Sequence, residues 1–338
     1  MPDAPAASNP VLRALRDPRL RYRHGRLIHA VRCALGIFLG LSITYLAHIP
    51  NGEWTSISFI IVMVGLQHHG NIRRRALERG AGTLLGAAAG LVIIGMQSTV
   101  GITPLTFAVM ALFCGACGYH AISRGGYVAQ LSAITLLIVT GYGMDSISVG
   151  LWRTVNVLIG IGIALALSFT LPLYARDFWR FGMAEALRRC ADLVAPAPAQ
   201  PAADDAPRRA GVETITPVLQ RLRTLMPPVA RETKLSMAQL EGIQNSLRLF
   251  LSLLELVTSP EPAAHGALPG TTDWNLATDE SARLAARLTA IAEGLETGAW
   301  ALPWSAPQPQ ESQAARMTSA ELETLRRHLL AAPPLWSV

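Results

Sequence analysis

Apolar residues dominate the chain from Leu27 to Leu173 and fall into six segments, approximately Leu27–Ile49, Trp54–Gln67, Ala76–Met96, Pro104–Ala121, Gly126–Tyr142 and Leu151–Leu173. A helix crossing ~30 Å of hydrocarbon needs about 20 residues, so the first, third and sixth segments are comfortable spans. The second and fifth are short. They read either as tilted spans shielded by neighbours or as re-entrant segments. The third segment carries the clearest pattern: Arg79, Gly82, Thr83, Gly86 and Gly90 recur at three- and four-residue spacing and share one helix face. Gly82, Gly86 and Gly90 make a doubled GxxxG, which admits close approach of another helix within a bilayer. Gly36 and Gly40 give the first segment a similar small face.

Beyond Tyr174 the pattern changes. Pro and Ala cluster at 195–207, and Pro recurs at 260–269 and 303–309, marking linkers. Between them Leu240, Ile243, Leu247, Phe250, Leu254 and Val257 form a heptad seam, suited equally to packing within the chain and to dimerisation. Leu284, Leu288, Ile291 and Leu295 make a second stripe, and Leu322, Leu325 and Leu329 a third. The expected fold is all-α. It comprises a basic cytoplasmic arm (1–26), a membrane domain of six transmembrane helices (27–173) and a C-terminal cytoplasmic helical domain (174–338).

Composition agrees. The 338 residues are 51% hydrophobic and only 15% charged, with a mean hydropathy of +0.32, whereas soluble domains carry about 25% charged residues. The net charge of +6 comes without a basic-aromatic groove, so no nucleic-acid partner is expected. Its placement reads as topology. The arm before the first span and the loop between the second and third are arginine-rich, and Arg124 lies between the fourth and fifth. The alternate loops, 50–53, 97–103 and 143–150, hold no Lys or Arg. The positive-inside rule then puts both termini in the cytoplasm of a multi-pass protein. The first apolar run is too long for the core of a cleavable signal peptide.

A shift of 74 residues lays Arg79 on Arg153, Gly82 on Asn156, Gly86 on Gly160 and Gly90 on Ala164, and superposes the first three spans on the last three. Three is odd, so such halves form a 3+3 inverted repeat, with the short spans in corresponding positions near a substrate site.

The candidate chemistry is cationic. Arg32, Arg79 and Arg153 lie at or inside span ends, where snorkelling to the interface competes with an anion-contacting role. Arg153 stands at the outer end of the sixth span, against the orientation signal, next to Trp152 and one turn before Asn156. No Asp or Glu lies deep in a span. The pair His68 and His69 can titrate near neutrality and is the candidate for proton coupling, though interfacial packing explains most span-end histidines. Four cysteines give no disulfide framework, and Cys114 and Cys117 lie mid-span without further ligands, so no metal or cofactor is expected. Walker, GxSxG and HExxH motifs are absent, which argues against an enzyme or ATP-driven pump.

The run Trp54-x-x-Ile57-Ser58, then Gly70, an arginine cluster and Arg79-x-x-Gly82-Thr83-Leu84-Leu85-Gly86 resembles the fusaric acid resistance family. That family is grouped with the aromatic acid exporters and related to the aluminium-activated malate transporters of plants. The resemblance covers about residues 25 to 175 and implies a six-helix membrane unit. It also implies export or passage of organic anions, particularly aromatic carboxylic acids, by an inner-membrane protein. Relatives often duplicate the six-helix unit in one chain, so a single unit implies a homodimer. The second motif copy departs from the first, with Asn156 and Val157 standing where Gly82 and Thr83 stand. The expected substrate path comprises Arg32, Arg79, Thr83, Arg153 and Asn156, with Trp54 or Tyr127 either stacking on an aromatic ring or anchoring at the interface. Gly36, Gly40, Gly82, Gly86, Gly90 and Gly160 are the expected helix-packing positions. An uncoupled anion channel and a membrane scaffold with a partner-binding bundle are the alternatives.

Overall fold

The computed structural model describes residues 17–63, 68–123, 125–141, 147–195, 215–258, 276–300 and 311–336. Its described residues form twelve α-helices and divide into two compact units that meet in sequence at Leu173 and Tyr174.

The first unit holds α1 (Pro18–Arg23), α2 (Gly25–Leu46), α3 (Glu53–Met63), α4 (His69–Val100), α5 (Thr103–Ala121), α6 (Gly126–Thr140) and α7 (Ile147–Thr170). Asp17 caps α1, its carboxylate accepting from the Arg19 amide at 2.9 Å, with Pro18 at the first helical position. Gly101 and Gly141 end α4 and α6 in the left-handed region that glycine enters without strain. Each of the six apolar segments contributes a helix among the described residues, and α2, α4, α5 and α7 are long and apolar enough to cross a membrane. The chain is therefore a polytopic membrane protein. Helices α3 and α6, with 11 and 15 residues, are shorter, and residues 64–67 of the second apolar segment lie outside the described residues. Helix α4 has 32 residues, roughly 48 Å, and begins ahead of the third apolar segment by including Arg73, Arg74 and Arg75.

Two helix pairs form the centre of this unit. On α4, Gly82 and Gly86 press against the α6 backbone, a Cβ at Gly82 lying 2.9 Å from the Val128 carbonyl oxygen, and at Gly90 a Cβ would meet the Val139 side chain, 2.9 Å from Cγ1. On α7, Gly160 meets α3 in the same way, with the Phe59 amide and Ser58 Cβ each 3.0 Å from the position of a Cβ. The 74-residue shift maps the α4–α6 pair onto the α7–α3 pair. Gly36 on α2 accommodates the Phe59 ring, and Gly40 lies against Ser56 and Thr55. These six glycines are occupied within the chain, so their faces are closed to a second copy.

The second unit holds α8 (Ala175–Val194), α9 (Thr216–Thr233), α10 (Met237–Thr258), α11 (Thr278–Thr297) and α12 (Gln313–Leu330), followed by a 3-10 turn at Pro333–Leu335. Leu240, Ile243, Leu247, Phe250 and Leu254 on α10 are at most 1% exposed and share one core with Leu222 and Leu225 of the neighbouring α9 and Leu322 and Leu325 of the neighbouring α12. The heptad seam is therefore this bundle's own core rather than a free dimer surface. The chain end closes it: Trp336 donates its indole N–H to the Leu329 carbonyl at 3.0 Å and accepts at its own carbonyl from Arg180 at 3.1 Å.

Glu280 ties α11 to α12. Its carboxylate accepts from the Ala277 amide (3.0 Å), the Ser312 amide (2.8 Å) and the Ser312 hydroxyl (2.8 Å). Burial raises its pKa, but the Ser312 and Ala277 amides and then the Ser312 hydroxyl outweigh that, leaving it below the ordinary 4.5. A folded-state value below the unfolded one stabilises above the unfolded pKa and is lost as pH falls through the folded pKa. Glu280→Gln should therefore destabilise the bundle by about 1–2 kcal/mol at neutral pH, and by progressively less on acidification below pH 4.5. Thermal melts across pH check this; a pH-independent difference would contradict it.

Candidate functional site

Arg79 lies on α4 one turn before Thr83, 4% exposed. Its Nη2 donates to the Ser58 hydroxyl on α3 at 3.3 Å, and Tyr127, in the first turn of α6, lies within electrostatic reach. Its Nε is buried without a partner, and so is the hydroxyl of Thr83, a fully buried residue. Ser58 is fully buried as well. No described carboxylate pairs with Arg79. Three helices thus converge on a buried guanidinium with unused donor capacity. Burying such a charge is costly unless something neutralises it. The approach of α6 that brings Tyr127 here depends on Gly82, where a side chain would meet Leu131 Cβ at 2.7 Å.

Tyr127 is not open on both sides. The Arg75 guanidinium, one turn before Arg79, stacks over its ring at 4.0 Å from the centroid, a cation–π contact. One ring face is thus already covered. Trp54 sits half-buried in the first turn of α3, one turn before Ser58.

A second group gathers where α2, α3 and the start of α4 meet. Arg32 is fully buried and its Nη2 lies 3.8 Å from Met63 Sδ, while His29 Nε2 and Cys33 Sγ are 3.7 Å apart. His68, 8% exposed, is within electrostatic reach of Arg32 and His29. His69 does something else: its Nδ1 lies 3.0 Å from the Ser168 hydroxyl, its amide donates to the Leu173 carbonyl at 2.8 Å, and its ring meets Phe169 edge-on. It fastens the start of α4 to the end of α7.

The third group is engaged with backbone. Arg153 donates through Nη1 to the Ile138 carbonyl in the last turn of α6, where helix carbonyls lack helical partners. Asn156 is fully buried. Its Oδ1 accepts from the Thr55 hydroxyl at 2.8 Å, and its Nδ2 donates to the Pro50 and Trp152 carbonyls at 2.8 and 2.9 Å. Asn156 clamps the start of α3, in the position where Gly82 lets α6 approach α4.

The structure therefore brings Arg79, Thr83 and Tyr127 together with Ser58, which the sequence reading left off the path. Two signals were available: Ser58 closes the Trp54-x-x-Ile57-Ser58 run, and the 74-residue shift lays it on Ser132. No group of three or more His, Cys, Asp or Glu residues suited to a metal occurs among the described residues.

The described residues thus make an all-helical polytopic membrane protein with a guanidinium buried between its helices. Residues 35–167 match the family described as fusaric acid resistance protein-like. The chain is 29% identical over 240 residues to the inner membrane protein YeeA of Escherichia coli K12, covering 70% of this chain and 66% of that protein. It is 29% identical over 160 residues to an uncharacterized transporter, YdhK, of Salmonella typhimurium LT2, covering 44% of this chain and 23% of that protein.

Proposed function

We propose that this chain forms a six-span unit in a bacterial inner membrane and passes organic anions, aromatic carboxylic acids foremost, without ATP. The observation that carries this is Arg79: a buried guanidinium without a carboxylate, beside the unused Thr83 hydroxyl and the Ser58 and Tyr127 hydroxyls. A carboxylate supplies the missing charge and accepts from these donors. The names of the relatives, an inner membrane protein and a transporter, point the same way. In this reading α3 and α6 are short spans of a 3+3 inverted repeat, both termini and residues 174–338 are cytoplasmic, and two copies make the working assembly. Arg32 and Arg153 flank Arg79 along the path.

An uncoupled channel is the second reading. No Asp or Glu is buried among the described residues of the first unit, so the visible proton carriers reduce to His68 and its neighbours. Proteoliposomes loaded with a radiolabelled aromatic carboxylate separate these readings. Efflux that follows an imposed pH gradient marks coupling, efflux indifferent to it marks a channel, and no efflux above protein-free vesicles marks a scaffold.

Topology is tested separately. A single cysteine at Asp145, which lies outside the described residues, should react with impermeant reagent on intact cells. One at Ser236, between α9 and α10, should react only after lysis. External labelling at Ser236 would break the six-span arrangement.

A further inference from the structure

Helix α9 divides its residues sharply. Leu222, Leu225, Met226 and Val229 are buried in the bundle core. The opposite face exposes Arg223, Thr224, Pro227 and Arg231, with Arg221 at its flank and exposed Lys234 at the cap that ends the helix. Glu232, the one acid on this helix, accepts from the Arg176 amide at 3.0 Å.

Elsewhere in the bundle several arginines are neutralised in place, although among the described residues the exposed Arg248, Arg316 and Arg327 are not. Arg188 meets Glu296 (2.9 Å), Arg189 meets Glu185 (2.6 Å), Arg283 meets Asp279 (2.8 Å) and Arg326 meets Glu323 (3.2 Å). Arg221, Arg223 and Lys234 have no acidic partner among the described residues. Such charge segregation disfavours the isolated bundle through self-repulsion, and it suits an extended anionic surface.

The chain limits which surface is in reach. Only four residues, 171–174, separate α7, a membrane-length helix, from α8, a tether of at most about 14 Å. A bilayer is consequently always nearby, whereas a soluble partner must be recruited. We propose that the basic face of α9 binds the surface of an anionic phospholipid leaflet. Its arginines and lysine contact lipid phosphates, and the absence of large apolar side chains from the face makes the contact electrostatic rather than insertive. The inference rests on α7 spanning the bilayer and is independent of any transport activity.

The test uses the full chain in nanodiscs, with its native cysteines replaced by alanine and a fluorophore placed at Thr224→Cys. Discs contain phosphatidylcholine alone or mixed with phosphatidylglycerol, plus headgroup-spin-labelled lipid as quencher. Quenching is expected in the anionic discs, and should be lost in neutral discs and reversed by high salt. Combining Arg221→Gln, Arg223→Gln and Lys234→Gln should weaken the association by roughly fivefold per charge. Unchanged circular dichroism shows that this variant is folded, and salt reversal in the unsubstituted face tests the same point without it. A probe at Ala320→Cys, exposed on α12, should stay unquenched in both lipids. Equal quenching in neutral and anionic discs would overturn the proposal. So would its absence in anionic discs, which would leave the face to an acidic protein, or equal quenching at Ala320.

Discussion

Arg79→Gln should weaken binding of an aromatic carboxylate by roughly 10- to 150-fold, the equivalent of one charge-assisted contact worth about 1.5–3 kcal/mol, while leaving the thermal midpoint of the purified protein almost unchanged. The pairing of those outcomes is the diagnostic feature. An arginine whose role is structural holds its partners together, and removing it lowers stability. Arg79 is buried without a carboxylate, with its Nε unpartnered, so the empty protein carries its desolvation cost with little return. Glutamine keeps a donor for Ser58 and removes the charge. Arg79→Lys should recover part of the affinity, since it keeps the charge and loses the planar fork. Radioligand binding in detergent, with melts on the same preparations, checks both outcomes. A large fall in midpoint with unchanged affinity would make Arg79 a helix clamp.

Gly86→Val should be the most damaging single substitution in the membrane unit. A Cβ at this position would stand 2.8 Å from Thr135 Cβ and 3.0 Å from the Leu136 amide nitrogen, besides colliding with the Ser132 carbonyl. These atoms lie mainly on the backbone of α6, so the two helices must part. Overpacking costs about 1–3 kcal/mol where side chains can shift, and more where they cannot. In a bilayer, where helix association rests on close packing, that separation removes the contact itself. Gly160→Val should fail similarly against α3. Gly95 and Gly115 are the controls: nothing lies within 4 Å of a Cβ at either, so alanine there should be neutral, or stabilising by up to about 1 kcal/mol. Fluorescence-detected size-exclusion melts rank the four variants. Equal loss at Gly95 and Gly86 would show that the α4–α6 contact is not what these glycines serve.

Much of the membrane unit was legible because a bilayer imposes long apolar runs and close packing imposes glycine spacing. The third segment showed both, and the Arg79–Gly82–Gly86–Gly90 stripe faces α6 as its periodicity required. Helix α4 extends back beyond the apolar segment Ala76–Met96 through Arg73–Arg75, since arginine is polar yet a good helix former. Helices α8 and α9 gave no clean signal; Pro227 and Pro228 lie inside α9, and proline reads as a breaker. The seam on α10 was visible, but sequence does not say whether a heptad face meets its own chain or another.

The site was harder to read than the helices. Residue type marked Arg79, Arg153 and Asn156 alike as polar groups in apolar surroundings. What separates them is the acceptor each meets, and those acceptors are distant in sequence. Arg153 meets the Ile138 carbonyl and Asn156 the Pro50 carbonyl, both backbone atoms that leave no trace in the sequence. Ser58 was quoted within the Trp54-x-x-Ile57-Ser58 run but left off the path, because a serine in an apolar run reads as a small packing residue.

The most direct test compares flux of a radiolabelled aromatic carboxylate into proteoliposomes holding the native protein or Arg79→Gln, reconstituted at equal density. The native protein should fill the vesicles at least about tenfold faster than the variant, matching the lower bound set by one lost contact, with the variant near the protein-free rate. Equal flux through both proteins, or none through the native one, would contradict an organic-anion path through Arg79.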